Sequence, residues 1–121
     1  MQEYTVTEVS QQLGISPKVI RRLCNSGLIP NIKRNSKHYR VLEPWQVEFL
    51  SILLNMKQAG FTSKEIRQYA KLYRKGPQTE AERIAILTTR KHQLRQEIQD
   101  CQRAIDFIER QEEVYYDGNQ Q

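Results

Sequence analysis

The sequence predicts a mainly α-helical chain, with a winged helix-turn-helix head, a short β-hairpin wing and a long C-terminal coiled-coil dimerisation helix. Three observations predict it. Helix starts and stops are marked by capping residues and glycines. One stretch, Ile29 to Leu42, abandons helical periodicity for a basic hairpin. An apolar stripe at spacings of three and four then runs from Ile84 to Ile108.

The first helix, about residues 5–12, opens on Thr5-Val6-Thr7-Glu8, a capping box in which Thr takes an amide and Glu reaches back. Gly14 ends it, because the turn needs a residue that tolerates positive φ. Ser16-Pro17 starts the second helix, about 17–25, with an N-cap followed by proline at the first helical position, and Gly27 follows its end. Together they fill the internal pattern of a helix-turn-helix. Val9 and Leu13 face inward, Ser10 is the small residue at the crossing, Ile15 plugs the turn, and Ile20 and Leu23 hold the second helix. At about 3.6 residues per turn, Val19 also leans toward the core while Lys18, Arg21, Arg22 and Asn25 stay outside. Outward guanidinium groups suit the major groove, where Arg takes guanine O6 and N7 or grips a phosphate. Ser16 and the free amides at that helix start can take a phosphate too. A helix that merely packs and is solvated on its outer face offers no reason for so little acid there.

In the hairpin, Ile32-Lys33-Arg34 and Tyr39-Arg40-Val41 flank the polar turn Asn35-Ser36-Lys37-His38. Strands this short need the helices to lie against. Cations interleaved with an aromatic suit a wing lying along phosphates, which makes Arg34, Lys37, Tyr39 and Arg40 candidate DNA contacts and His38 a turn residue. Tyr39 alone fits a core position equally well. The third helix, about 44–58, begins at Glu43-Pro44 and carries Trp45, Phe49, Leu50, Leu53, Leu54 and Met56 as the head's core. Gly60 stops it. Thr62-Ser63-Lys64-Glu65 is a second capping box for the fourth helix, about 63–74, where Lys64 and Arg67, with Lys57 nearby, make another phosphate-facing edge.

Gly76-Pro77 closes that helix, and Thr79-Glu80-Ala81-Glu82 marks a third capping box at the start of the fifth, about 80–112. Ile84, Leu87, Lys91, Leu94, Ile98, Cys101, Ile105 and Ile108 occupy successive heptad a and d places, over about 25 residues or ~37 Å. Nothing else in one chain is available to cover that stripe, so self-association is the economical expectation; an intramolecular packing helix is the alternative. Periodicity does not choose parallel from antiparallel pairing. Lys91 at an a place sets register at some cost in stability. The polar end, Asp117-Gly118-Asn119-Gln120-Gln121, is expected to fray.

Charge divides as the elements do. Through Gly76 there are 13 Lys+Arg against 5 Asp+Glu, a local +8; from Pro77 onward there are 6 against 9, a local −3. A basic head on a mildly acidic tail points to a polyanionic partner for the head. Two domains are expected, the head over residues 1–76 and the dimerisation helix with its tail over 77–121. No apolar run approaches the roughly 18–20 residues of a membrane span, and Met1-Gln2-Glu3-Tyr4 does not resemble a signal peptide, so a cytoplasmic protein is expected. Cys24 and Cys101 form no C-x-x-C pair, and no zinc site, other metal or cofactor is indicated. With no Gly-rich phosphate loop, paired carboxylates or activated nucleophile, there are no candidate catalytic residues and no enzyme is expected.

In order along the chain, Tyr4-Thr5-Val6-Thr7-Glu8-Val9, Leu13-Gly14-Ile15-Ser16, Arg21, Gly27-Leu28-Ile29-Pro30, Tyr39-Arg40 and Ala59-Gly60-Phe61-Thr62-Ser63-Lys64-Glu65-Ile66 resemble the MerR family of transcriptional regulators. With the terminal helix, the resemblance covers roughly residues 4–112. It implies an antiparallel homodimer on a pseudo-palindromic promoter with an overlong spacer. It also implies bending and untwisting of the double-stranded DNA so that RNA polymerase can align both promoter elements. The alternative is an architectural, excisionase-like DNA-binding protein, which the long heptad helix disfavours. Two places depart from the family pattern: Arg21-Arg22-Leu23-Cys24 replaces Arg-Tyr-Tyr and an acidic residue, and His38 replaces a glycine before Tyr39-Arg40. Leu72-Tyr73-Arg74-Lys75-Gly76-Pro77 resembles the aldehyde- or thiol-stress branch, whose reactive cysteine near the end of the third helix is here Asn55. Fewer than ten residues follow Glu112, so no separate effector domain is expected. A lone thiol at Cys101 fits buried packing and Cys24 a helix end that disfavours thiolate, so the effector has no signature in the sequence.

Overall fold

Thr5 sets how the chain enters its first helix. In the computed structural model, which describes residues 2–119, its hydroxyl accepts the Glu8 amide at 3.2 Å and its own amide donates to the Glu8 carboxylate at 3.0 Å. Thr5 is therefore the cap, and α1 (Val6–Leu13) begins one residue beyond it. Tyr4–Thr5 forms a short strand, β1. At the turn, the Ser10 carbonyl accepts the Gly14 and Ile15 amides at 3.0 and 3.2 Å, and the Ser10 hydroxyl donates to the Ile15 carbonyl at 2.6 Å. Gly14, at φ 66°, holds a left-handed conformation that a β-carbon would oppose. α2 (Pro17–Asn25) starts under Ser16, whose hydroxyl accepts the Val19 amide at 3.4 Å.

β2 (Lys33–Arg34) and β3 (Arg40–Leu42) form the expected hairpin, and β1 adds to the other side of β3. All pairs are antiparallel, with Tyr4 opposite Leu42, Thr5 opposite Val41, Lys33 opposite Val41 and Arg34 opposite Arg40. β1 was not expected, since two residues carry no alternation to detect. The second hairpin strand runs one residue later than expected. Tyr39 belongs to the turn, because its amide donates to Asn35 Oδ1 at 3.0 Å and not to the ladder.

The head's core lies where α1, α2 and β3 meet α3 (Pro44–Gln58) and α4 (Ser63–Lys75), around the fully buried Val9, Ile20, Leu42, Phe49, Leu50 and Leu53. Gln46 is buried with them and uses both ends of its amide. Its Oε1 accepts the Glu43 amide and its Nε2 donates to the Pro30 carbonyl, each at 2.8 Å, which removes the cost of burying it. The buried stripe centres on Gln46 and leaves Trp45 at its edge. Trp45 is 40% exposed, with its indole donating to the Glu43 carboxylate, so it is not the core residue expected. α3 ends in a Schellman motif, Phe61 amide to Met56 carbonyl and Gly60 amide to Lys57 carbonyl, both at 3.1 Å. Thr62 and Glu65 close the second capping box at 3.1 and 2.8 Å.

After Gly76 a single 3₁₀ turn, Pro77–Thr79, leads into α5 (Glu80–Asn119). The third capping box is replaced by other bonds. Thr79 is buried, with its hydroxyl 2.7 Å from the Leu72 carbonyl and 2.8 Å from that of Gly76, and it accepts from Arg83 Nε at 3.0 Å. The 3₁₀ turn puts Thr79 inside helical backbone, where a side chain is not placed to cap the turn ahead. The Arg83 guanidinium also lies 5.4 Å over the Tyr73 ring, which stacks on Phe49 at 4.6 Å.

One compact unit ends at Arg83 and a second begins at Ile84. In the second, helix continues past Glu112 to Asn119, with no proline to interrupt it. Asp117 and Gly118 are thus helical; Gln120 and Gln121 lie outside the described residues, as does Met1. Of the stripe, Ile84, Leu87, Lys91, Ile98, Cys101, Ile105 and Ile108 are exposed in the single chain, Ile98 to 67%, and Leu94 is half-buried. No helix among the described residues is long and apolar enough to cross a membrane.

Candidate nucleic-acid interface

Asn35 builds the wing tip. Its side-chain oxygen accepts the amides of Lys37 and Tyr39 at 3.0 Å each, and its backbone exchanges bonds with His38 and Tyr39 at 2.9 Å. That network turns the chain sharply and forces His38 to φ 66°. The Arg34 guanidinium then donates back to the His38 carbonyl at 2.9 Å, fixing one wing arginine across the turn. Arg40, from the facing strand, donates to Asn25 Oδ1 at the end of α2. The wing and the second helix are thereby tied together.

Between them lies a groove lined by Thr5, Val6, Thr7, Arg21, Arg34, His38, Tyr39 and Arg40. Arginines from α2, β2 and β3 thus line one groove beside the start of α1, where the helix dipole also favours an anion. Tyr39, 62% exposed, stands clear of the core, so it does not take the core position its sequence also fitted. Cys24, half-buried behind Arg40, has its thiol pKa pushed up by burial, a rise that the Arg40 charge partly opposes.

Of the residues chosen from sequence, Arg21, Arg34, Tyr39 and Arg40 come together in this groove. Asn25 reaches it through Arg40. Ser16, Lys18, Arg22, Lys37 and Lys64 are exposed outside it, Lys64 on the first turn of α4. Thr5, Val6, Thr7 and His38 were not chosen, although the capping box had already put Thr5, Val6 and Thr7 at a helix start. The contact between Arg40 and Asn25 has no sequence signal, because a bond between residues 15 apart depends on the tertiary fold. Among the described residues, no group of three His, Cys, Asp or Glu side chains is placed to hold a metal ion.

Comparison with known proteins matches two family models: the MerR HTH family regulatory protein over residues 4–72 and the MerR DNA-binding model over residues 47–110. An uncharacterized HTH-type transcriptional regulator of Haemophilus influenzae is 26% identical over 106 residues, covering 88% of this chain and 78% of that one. Among solved structures, HiNmlR, a MerR family regulator lacking the sensor domain and bound to promoter DNA, superposes with a TM-score of 0.74 at 26% identity, covering 87% of this chain and 80% of that one. A putative MerR family regulator of Listeria monocytogenes gives a TM-score of 0.72 at 28% identity, with the same shares covered.

Proposed function

The chain belongs to the MerR family of DNA-binding transcriptional regulators, and from that premise we propose that it acts as a homodimer on the double-stranded DNA of a pseudo-palindromic promoter. The observation that carries this is the groove in which Arg21, Arg34 and Arg40 converge from three separate elements. Three arginines lining one groove make it attractive to an anion, and a phosphodiester backbone supplies one. The second helix supplies Ser16, Lys18, Arg21, Arg22 and Asn25 to the DNA surface, the wing supplies Arg34, Lys37, Tyr39 and Arg40, and Lys64 adds a contact from α4. HiNmlR, similar over 87% of this chain, was solved on promoter DNA, which supports the same class of target here.

Two copies pair through Ile84, Leu87, Lys91, Leu94, Ile98, Cys101, Ile105 and Ile108. Pairing holds two heads at a fixed separation, so each reads one half-site. The dimer bends and untwists the spacer between promoter elements so that RNA polymerase can engage both. Residues 1–76 form the DNA-binding part and 77–121 the dimerisation part, the protein works in the cytoplasm, and it catalyses no reaction. An excisionase-like architectural role gives no purpose to 40 residues of α5.

The decisive variants are Arg21→Ala and Arg22→Ala. Each is expected to weaken binding to the promoter site about tenfold or more, while circular dichroism and sedimentation report a folded dimer. Unchanged affinity in both would remove α2 from the interface. Genomic footprinting of bound sites supplies the operator and its half-site spacing for the assay.

A further inference from the structure

An outward asparagine on a recognition helix is ordinarily a base reader, because its amide can pair with adenine N6 and N7 together. In this structure that amide is engaged elsewhere, its Oδ1 accepting from Arg40 Nη2. Arg40 arrives from β3 and is half-buried, whereas Arg21 and Arg22 are exposed. Among the described residues no carboxylate lies within ion-pairing distance of Arg40. That matters chemically. A carboxylate at position 25 would hold the guanidinium as well, but would cancel its charge. A neutral amide occupies one edge of the fork and leaves the remaining donors and the full positive charge available. The bond also places the cation at the C-terminal end of α2, where the helix dipole favours it. On its other side, Arg40 lines the same groove as Arg21 and Arg34.

We infer that Asn25 is a positioning residue that reads no base and instead holds the uncancelled Arg40 guanidinium for a DNA phosphate. The inference rests on the DNA-binding function proposed above.

The test uses the full chain and a duplex that the wild-type chain selects from a random-sequence pool, with affinity measured across a salt series. Arg40→Ala is expected to weaken binding about tenfold and Asn25→Ala about threefold to tenfold, with the double variant no weaker than Arg40→Ala alone. Base preference of Asn25→Ala, from a repeated selection, stays as in the wild type at every position. Asn25→Asp keeps the hydrogen bond but cancels the charge, so its log-affinity against log-salt slope falls by about one. Circular dichroism melts confirm that each variant is folded. Multiplying losses in the double variant, or new tolerance at one base pair in Asn25→Ala, would overturn the positioning role. A wild-type chain that selects no duplex at all would instead overturn the DNA-binding function, and this inference with it.

Discussion

His38 holds a left-handed backbone at φ 66°, which costs a residue with a β-carbon roughly 1 kcal/mol. The four bonds of Asn35 and the Arg34 bond to the His38 carbonyl sustain it. His38→Gly is therefore expected to raise stability by about 0.5–1 kcal/mol, offset in part by the larger entropy of glycine in the unfolded chain. Chemical denaturation measures it, and a destabilised variant would show that the imidazole makes a contact worth more than the strain. This strain was legible in advance, since the position before Tyr39-Arg40 is where the resembled family carries glycine. Trp45 shows the opposite case. Its size argued for the core, but the buried stripe of α3 centres on Gln46, whose amide satisfies two backbone groups that no apolar side chain can serve.

Helices were legible because their signals are local: Thr5 with Glu8 and Thr62 with Glu65 close within one turn. β1 was not, because its existence depends on Leu42 and Val41 arriving from far along the chain. For α5 the local pattern also makes an orientation testable. If two copies pair antiparallel about Gln96, Ile84 faces the partner's Ile108, Leu87 the partner's Ile105, Leu94 the partner's Ile98, and Lys91 the partner's Cys101. Under mild oxidation, Lys91→Cys is then expected to give disulfide-linked dimers that non-reducing electrophoresis detects, while the wild type stays uncrosslinked. In a parallel pair Cys101 meets the partner's Cys101, so crosslinking of the wild type would reverse the orientation.

For the molecule as a whole, charge is as unevenly placed as apolar surface. The head carries +8 and the remainder −3, and the ion pairs Arg90–Glu97 and Arg103–Asp100 lie on α5. Binding to DNA should accordingly be steeply salt-dependent. With about six phosphate contacts, affinity is expected to fall about 10³-fold between 50 and 200 mM salt. Fluorescence anisotropy on a labelled duplex reads the slope, and a nearly flat one would mean that apolar contacts, not the arginines, dominate.

The sequence by itself determined the helices, the capping boxes of α1 and α4, the exposed arginine face of α2 and the heptad stripe, since each depends on residues within a turn or two of one another. Only the tertiary structure decided which of those cations act together. It took β3 folding back on the end of α2 to bring Arg40 onto Asn25, and the wing to bring Arg34 to the groove that Arg21 lines. Helical periodicity says which way a side chain faces. Which other side chain it meets is set by packing between elements distant in sequence, where no local signal exists.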